Sequence, residues 1–153
     1  MTFGIELCYI VTPLPRQRQI TEQLIHHWQQ GYGAKYNPLR GEALKKVAVR
    51  NDMNEMLVEI GQDDAPIIIG TSSHERERKT IGYDELHRWI EKEDRPFLLV
   101  FGTGWGLTDE TVGLCEKMLM PIKGAGEYNH LSLRVAVGVI LDRIFGERGG
   151  KDE

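Results

Sequence analysis

The chain has 153 residues, of which 41% are hydrophobic and 27% charged, and a net charge of −4. That length supports one domain with a sizeable core, and no apolar run approaches the roughly 20 residues of a membrane span. The acidic balance excludes a broad electropositive face but leaves room for local basic patches.

Residues 5–11 read as a strand ending at Thr12-Pro13, and 17–29 as a helix with Ile20, Leu24 and Trp28 on one face. Gly31 to Pro38 reads as a loop. A second strand is expected over 45–50. Asn51-Asp52 then caps a helix whose Met53, Met56, Leu57 and Ile60 follow the i, i+3, i+4, i+7 spacing of an amphipathic face. Pro66-Ile67-Ile68-Ile69-Gly70 has the unbroken apolar character of a strand buried on both faces. A helix follows from Tyr83 to Lys92, with Leu86, Trp89 and Ile90 inward, and a fourth strand over 97–101. Thr108 caps the next helix, Asp109 and Glu110 suiting its first turn. A fifth strand is expected over Leu119–Ile122 and a last helix from Leu131 to Phe145.

Strands separated by helices predict an α/β fold with a mostly parallel sheet. Residues 1–147 read as a single domain and 148–153 as a polar, frayed tail. The first residues lack the basic region and apolar stretch of a signal peptide, so the expected location is the cytoplasm. Cys8 falls in a strand and Cys115 in a helix, without a Cys-x-x-Cys motif, so both are expected as buried free thiols. No two histidines stand four apart with an acid between, and no metal site is expected.

In the last helix Leu133, Ala136, Val137, Ile140 and Ile144 form an apolar stripe, which Val135, Val139 and Leu141 extend most of the way round. A helix apolar on nearly all sides needs cover on nearly all sides. A single sheet supplies one, so the pattern predicts a homodimer through this helix.

The most informative segments are Leu98-Leu99-Val100-Phe101-Gly102-Thr103-Gly104-Trp105-Gly106-Leu107 and Met120-Pro121-Ile122-Lys123-Gly124-Ala125-Gly126-Glu127-Tyr128-Asn129-His130-Leu131-Ser132-Leu133-Arg134. Each is an apolar run ending at a turn poor in side chains, where bare backbone can touch a ligand. The spacing of Gly102, Gly104 and Gly106 does not fit a dinucleotide fingerprint, and no Gly-Lys-Ser/Thr makes a P-loop.

Together these two segments resemble the SPOUT class of adenosylmethionine-dependent RNA methyltransferases. That class carries a strand ending in a Leu-Val-Phe-Gly turn, an Ile-Pro-Met-like strand, and a helix beginning Ser-Leu. Leu99–Leu107, Met120–Ile122 and Ser132–Ile140 correspond here. A bacterial subgroup with Gly-Thr-Gly-Trp-Gly and Tyr-Asn-His-Leu-Ser is similar over nearly the whole chain, including Val11-Thr12-Pro13-Leu14 and Gly31 to Pro38.

The resemblance implies an α/β knot with a deep C-terminal trefoil, S-adenosylmethionine as cofactor, a homodimer, and tRNA or rRNA as substrate. It implies a cofactor site at Thr71, Phe101, Gly102, Thr103, Gly104, Trp105, Ile122, Gly124, Gly126, Tyr128, Asn129, Leu131 and Leu133. His130 and Arg134 are the catalytic candidates. Arg16, Arg18, Arg76, Arg78 and Lys79 are the candidate RNA contacts, chosen by charge. The chain departs from the class in three ways. The glycine turn has no Glu, Arg134 stands where many relatives have Asn, and a first strand and an Arg-bearing first helix have no counterpart among the five strands expected here. Those departures keep open a cofactor-binding or dimerisation module with impaired catalysis. A flavodoxin-like nucleotide-binding protein is the further alternative, on fold class alone.

Overall fold

A computed structural model of the chain describes residues 2–61, 64–75, 79–126 and 129–147. The described residues form six strands and seven helices, in two units spanning Met1–Asp63 and Asp64–Glu153.

In the first unit β1 (Cys8–Val11) and β2 (Val47–Arg50) pair in parallel, with Cys8 opposite Val47 and Val11 opposite Arg50. A parallel pair needs a long crossover, and this one is helical throughout: α1 (Pro15–Gln29), α2 (Tyr32–Tyr36) and α3 (Pro38–Leu44). Thr12 is buried and donates its hydroxyl to Gln17 Oε1 at 2.9 Å, fixing the entry to α1. After β2, α4 (Met53–Ile60) begins with Asp52 accepting from the Glu55 amide at 2.9 Å. That amide lowers the Asp52 carboxyl below its usual range.

Several expectations fail in this unit, each for a local reason. The predicted loop 31–38 is mostly α2 and the start of α3. Its glycine and proline are packing and start residues: Gly33 is buried against Trp28, and Pro38 opens α3 behind Asn37, which caps the Arg40 amide at 3.2 Å. The face that Ile20, Leu24 and Trp28 share on α1 is covered only at its end. Trp28 is half-buried beneath Gly33 and Arg40, whereas Ile20 and Leu24 are exposed. Cys8 is exposed rather than buried, although desolvation still raises its thiol pKa. Both strands are shorter than the expected 5–11 and 45–50, because pairing begins only at Cys8 and Val47.

The second unit is built on β3 (Ile67–Gly70), whose four residues are all buried. Its parallel neighbours are β5 (Phe97–Val100) on one side and β6 (Lys117–Leu119) on the other, and β4 (Thr80–Ile81) pairs parallel to β6. The order β4-β6-β3-β5 therefore places the last described strand between two earlier ones. Helices α5 (Tyr83–Ile90) and α7 (Leu133–Phe145) pack on one face, where Ile67, Ile69, Ile81 and Leu119 meet Leu86, Ile140 and Ile144. The short helix α6 (Asp109–Leu114) is capped as expected by Thr108, whose hydroxyl accepts from the Thr111 amide at 3.2 Å.

The strand expected over Leu119–Ile122 is displaced to 117–119. Pro121 has no amide to donate, so the ladder closes with the Met120 amide on Ile81 O at 2.9 Å. Strand β4, two residues long, carries no alternation long enough to read. Cys115 is buried as expected but caps the end of α6 instead of lying within it. The last helix begins at Leu133, not Leu131. Its Ile140 and Ile144 are buried, while Leu133 and Val135 are exposed. Ile69 has no accessible surface. Its replacement by Ala should cost about 2–5 kcal/mol, seen as a lower urea midpoint with an unchanged denaturant slope.

Candidate functional site

Strands β3, β5 and β6 run parallel, so the segments that leave them emerge at one edge of the sheet. Open parallel sheets bind ligands at this carboxyl edge. Thr71 closes the edge between β3 and β5: its amide and its hydroxyl both donate to Val100 O, at 3.1 and 3.0 Å. One residue on from Val100, Phe101 turns back into the core, half-buried against the apolar cluster.

The next turn is tight. Gly106 N donates to Thr103 O at 2.8 Å and the two residues form an isolated antiparallel bridge. A Cβ on Gly102 would lie 2.2 Å from the carbonyl carbon of Gly106, so the turn closes only over a residue without a side chain. Gly104 and Gly106 have φ of 43° and 83°, the left-handed region that glycine enters without strain. Between them Trp105 is fully exposed at the tip, as its two glycine neighbours predict.

The second segment leaves β6 through Met120, whose carbonyl accepts from the Tyr83 hydroxyl at 2.9 Å. Ile122 packs on the core, and Gly124 and Gly126 follow in exposed backbone. Lys123 pairs with Glu75 at 2.9 Å on the loop after β3. Asn129 donates its side-chain amide to Ser73 O at 2.8 Å, and the His130 and His74 rings meet edge-on with centroids 5.6 Å apart. The segment before α7 is thus tied to the loop after β3 at three points. Leu131, Leu133 and Arg134 are exposed beyond it, and Leu133 and Arg134 open α7.

Thr71, the 101–106 turn, Ile122, Asn129 and His130 therefore gather around the ends of three adjacent strands. Tyr128, Arg76 and Arg78 lie outside the described residues. Arg16 is exposed in the first turn of α1, and Arg18 on the same helix donates to Asn51 Oδ1. Lys79 belongs to the second unit, where its carbonyl accepts from the Met118 amide at 3.0 Å. Sequence reasoning missed Ser73 and His74, the partners of Asn129 and His130. They lie more than fifty residues upstream, and no periodicity links the two stretches.

A separate cavity of about 400 Å³ lies between the start of α5 and the end of α7, lined by Tyr83, Asp84, Asp142, Arg143, Gly146 and Glu147. It shares no residue with the glycine turns. Among the described residues no group of three His, Cys, Asp or Glu side chains is placed to hold a metal ion, and no helix is long and apolar enough to cross a membrane.

A family model described as SAM-dependent RNA methyltransferase matches residues 1–146. An uncharacterised protein of Aquifex aeolicus (strain VF5) is 37% identical over 145 residues, 94% of this chain and 70% of that protein. A tRNA (guanine-N(1)-)-methyltransferase of Oleidesulfovibrio alaskensis is 36% identical over 148 residues, 95% of this chain but 34% of that protein, so the chain spans about a third of this relative's length. Among solved structures, TrmJ from Z. mobilis ZM4 superposes with a TM-score of 0.62 at 15% identity, over 99% of this chain and 62% of that one, a likeness of fold.

The Asn129–Ser73 bond is the part of this arrangement most open to test. Asn129→Ala should cost about 1 kcal/mol and speed amide exchange across residues 71–75, measured by thermal denaturation and hydrogen exchange.

Proposed function

The chain belongs to the SAM-dependent RNA methyltransferase family, and on that premise we propose that it is of the SPOUT class and transfers a methyl group from S-adenosylmethionine to tRNA or rRNA in the cytoplasm. The observation that carries this reading is the convergence of side-chain-poor backbone at the carboxyl edge of β3, β5 and β6. Adenine needs a flat apolar slot with main-chain donors and acceptors at its rim. Phe101 and Ile122 supply apolar walls, and the backbone of Thr71, Gly102 to Gly106 and Asn129 to Leu133 supplies the polar rim. Gly124, Gly126 and Tyr128 are assigned to the methionine part, and the chain is proposed to thread this edge as a trefoil knot.

When bound, the sulfonium supplies an already activated methyl group, so the protein's work is orientation and proton handling. We assign proton acceptance from the methylated nucleotide to His130, a reading supported by its position beside His74 on the segment before α7. Arg134 at the start of α7 presents a planar fork suited to a phosphate or carboxylate. Leu131, Leu133 and Val135 leave an apolar strip exposed around the start of α7, which supports a homodimer through that helix. The name of the longer tRNA (guanine-N(1)-)-methyltransferase relative favours tRNA, but the chain matches only a third of that protein, so the base and atom are not carried over.

Calorimetry with S-adenosylmethionine, together with transfer of labelled methyl to bulk tRNA and rRNA, tests the proposal. Gly102→Ala should abolish cofactor binding. His130→Ala should bind the cofactor normally while losing about a hundredfold or more in kcat, the scale of a general base. Absence of cofactor binding by the native chain would end the reading; binding without transfer to either RNA would reduce it to a cofactor-binding module. In sedimentation, Val135→Asp should shift the native dimer to monomer, and a native monomer would remove the dimer from the proposal.

A further inference from the structure

The first unit carries an exposed aromatic pair that nothing in the cofactor site requires. Tyr32 and Tyr36, one turn apart on α2, are each 74% exposed. Their rings lie 6.4 Å apart between centroids and within 20° of parallel. Leu39, just beyond, is 81% exposed. Water-facing tyrosines on a five-residue helix would ordinarily be loose, because so short a helix is unstable alone. This helix is held. Gly33 is buried so close to the indole of Trp28 that a Cβ would lie 2.6 Å from Trp28 Cε3. On α3 a Cβ on Gly41 would lie 2.7 Å from Trp28 O, and the Arg40 guanidinium stands 4.3 Å from the Trp28 ring centroid. Trp28 thus anchors α2 and α3, and the anchorage turns both tyrosine rings outward as a fixed platform.

The cation local to the pair is Lys35, on the same helix; residues 12–50 carry seven Lys and Arg against Glu22 and Glu42, within a first unit whose charges balance at seven of each sign. Lys35, three residues after Tyr32 and so its neighbour on the helix surface, is exposed. Aromatic faces set among cations bind unpaired nucleotides, by stacking on the bases and neutralising the phosphates.

We propose that the Tyr32–Tyr36 platform of the first unit, with Lys35, binds unpaired nucleotides of the RNA substrate as a docking surface additional to the residues that bind cofactor. The proposal rests on the RNA methyltransferase reading for its choice of nucleic acid. It adds that RNA is gripped by stacking on the α1–α3 crossover, largely independently of base identity, since every base has a stackable face.

The test titrates the full chain into fluorescein-labelled single-stranded oligouridylate and into tRNA across a potassium chloride series, reading anisotropy. Tyr32→Ala and Tyr36→Ala should each weaken oligouridylate binding by about fivefold to a hundredfold, the scale of one lost stack. Tyr→Phe at either position should bind as the native chain does, because the ring remains. Lys35→Ala should reduce the slope of log affinity against log salt by about 0.7, one phosphate of a single strand. All five variants should keep native circular dichroism and native S-adenosylmethionine affinity by calorimetry, so loss of RNA binding with the cofactor retained is attributable to the platform. Native affinity in the Tyr32→Ala/Tyr36→Ala double variant would overturn the proposal, as would no oligouridylate binding by the native chain. Full rescue by Leu at both positions, or a change in sedimentation on mutation, would also overturn it, by showing an apolar surface for protein. Each of these failures leaves the cofactor reading standing if calorimetry is unchanged.

Discussion

Strand β3 is the element on which the second unit depends. It is hydrogen-bonded in parallel on both sides, to β5 and to β6. Its side chains alternate between the α5–α7 core and the opposite face. Its last residue, Gly70, has no room for a side chain: a Cβ would lie 2.5 Å from Met118 Sδ and 2.8 Å from Cys115 Sγ. Because β3 is central and parallel to both neighbours, the chain leaving each of the three strands does so at one edge. Everything assigned to the cofactor site follows from that coincidence of strand ends.

Hydrophobic burial fixes β3 and its neighbours, but it does not determine the shape of the edge. Small local bonds do that. The double donation from Thr71 to Val100 O joins β3 to β5 just where the two strands end. Asn129 to Ser73 O, Lys123 to Glu75 and the His130–His74 contact join the segment before α7 to the loop after β3. Each bond alone is worth little in water. Together they hold backbone that has no regular structure of its own in the position the proposed chemistry needs. A site of this type tolerates changes in side-chain identity but not changes in backbone path, as the closed turn at Gly102 illustrates.

Much of this was legible from the residues. The run Ile67–Gly70, the Asp52 and Thr108 caps and the Met53–Ile60 face were read correctly, because each is a strong local signal written in consecutive residues. The glycine turn was legible for the same reason. What escaped was set by distant contact. Strand β4 exists only because β6 pairs with it. The Gly31–Pro38 stretch is mostly helical because Trp28, several residues upstream, accepts Gly33 against its ring. Ser73 and His74 were passed over since their partners come fifty-six residues later. Cys8 was expected inside because its neighbours are apolar, yet β1 leaves it exposed.

The three tryptophans occupy unlike surroundings. Trp28 is wedged among α1, α2 and α3, and Trp89 stands edge-on to Phe97 with centroids 5.3 Å apart. Trp105 alone is bare to water. The molecule accordingly carries an optical gauge at the tip of the glycine bend: the water-exposed indole should emit furthest to the red and be quenched most readily, against the emission of the two half-buried ones. Anything that settles onto the bend alters the red component first, so occupancy there can be followed by light on the native polypeptide without attaching a dye.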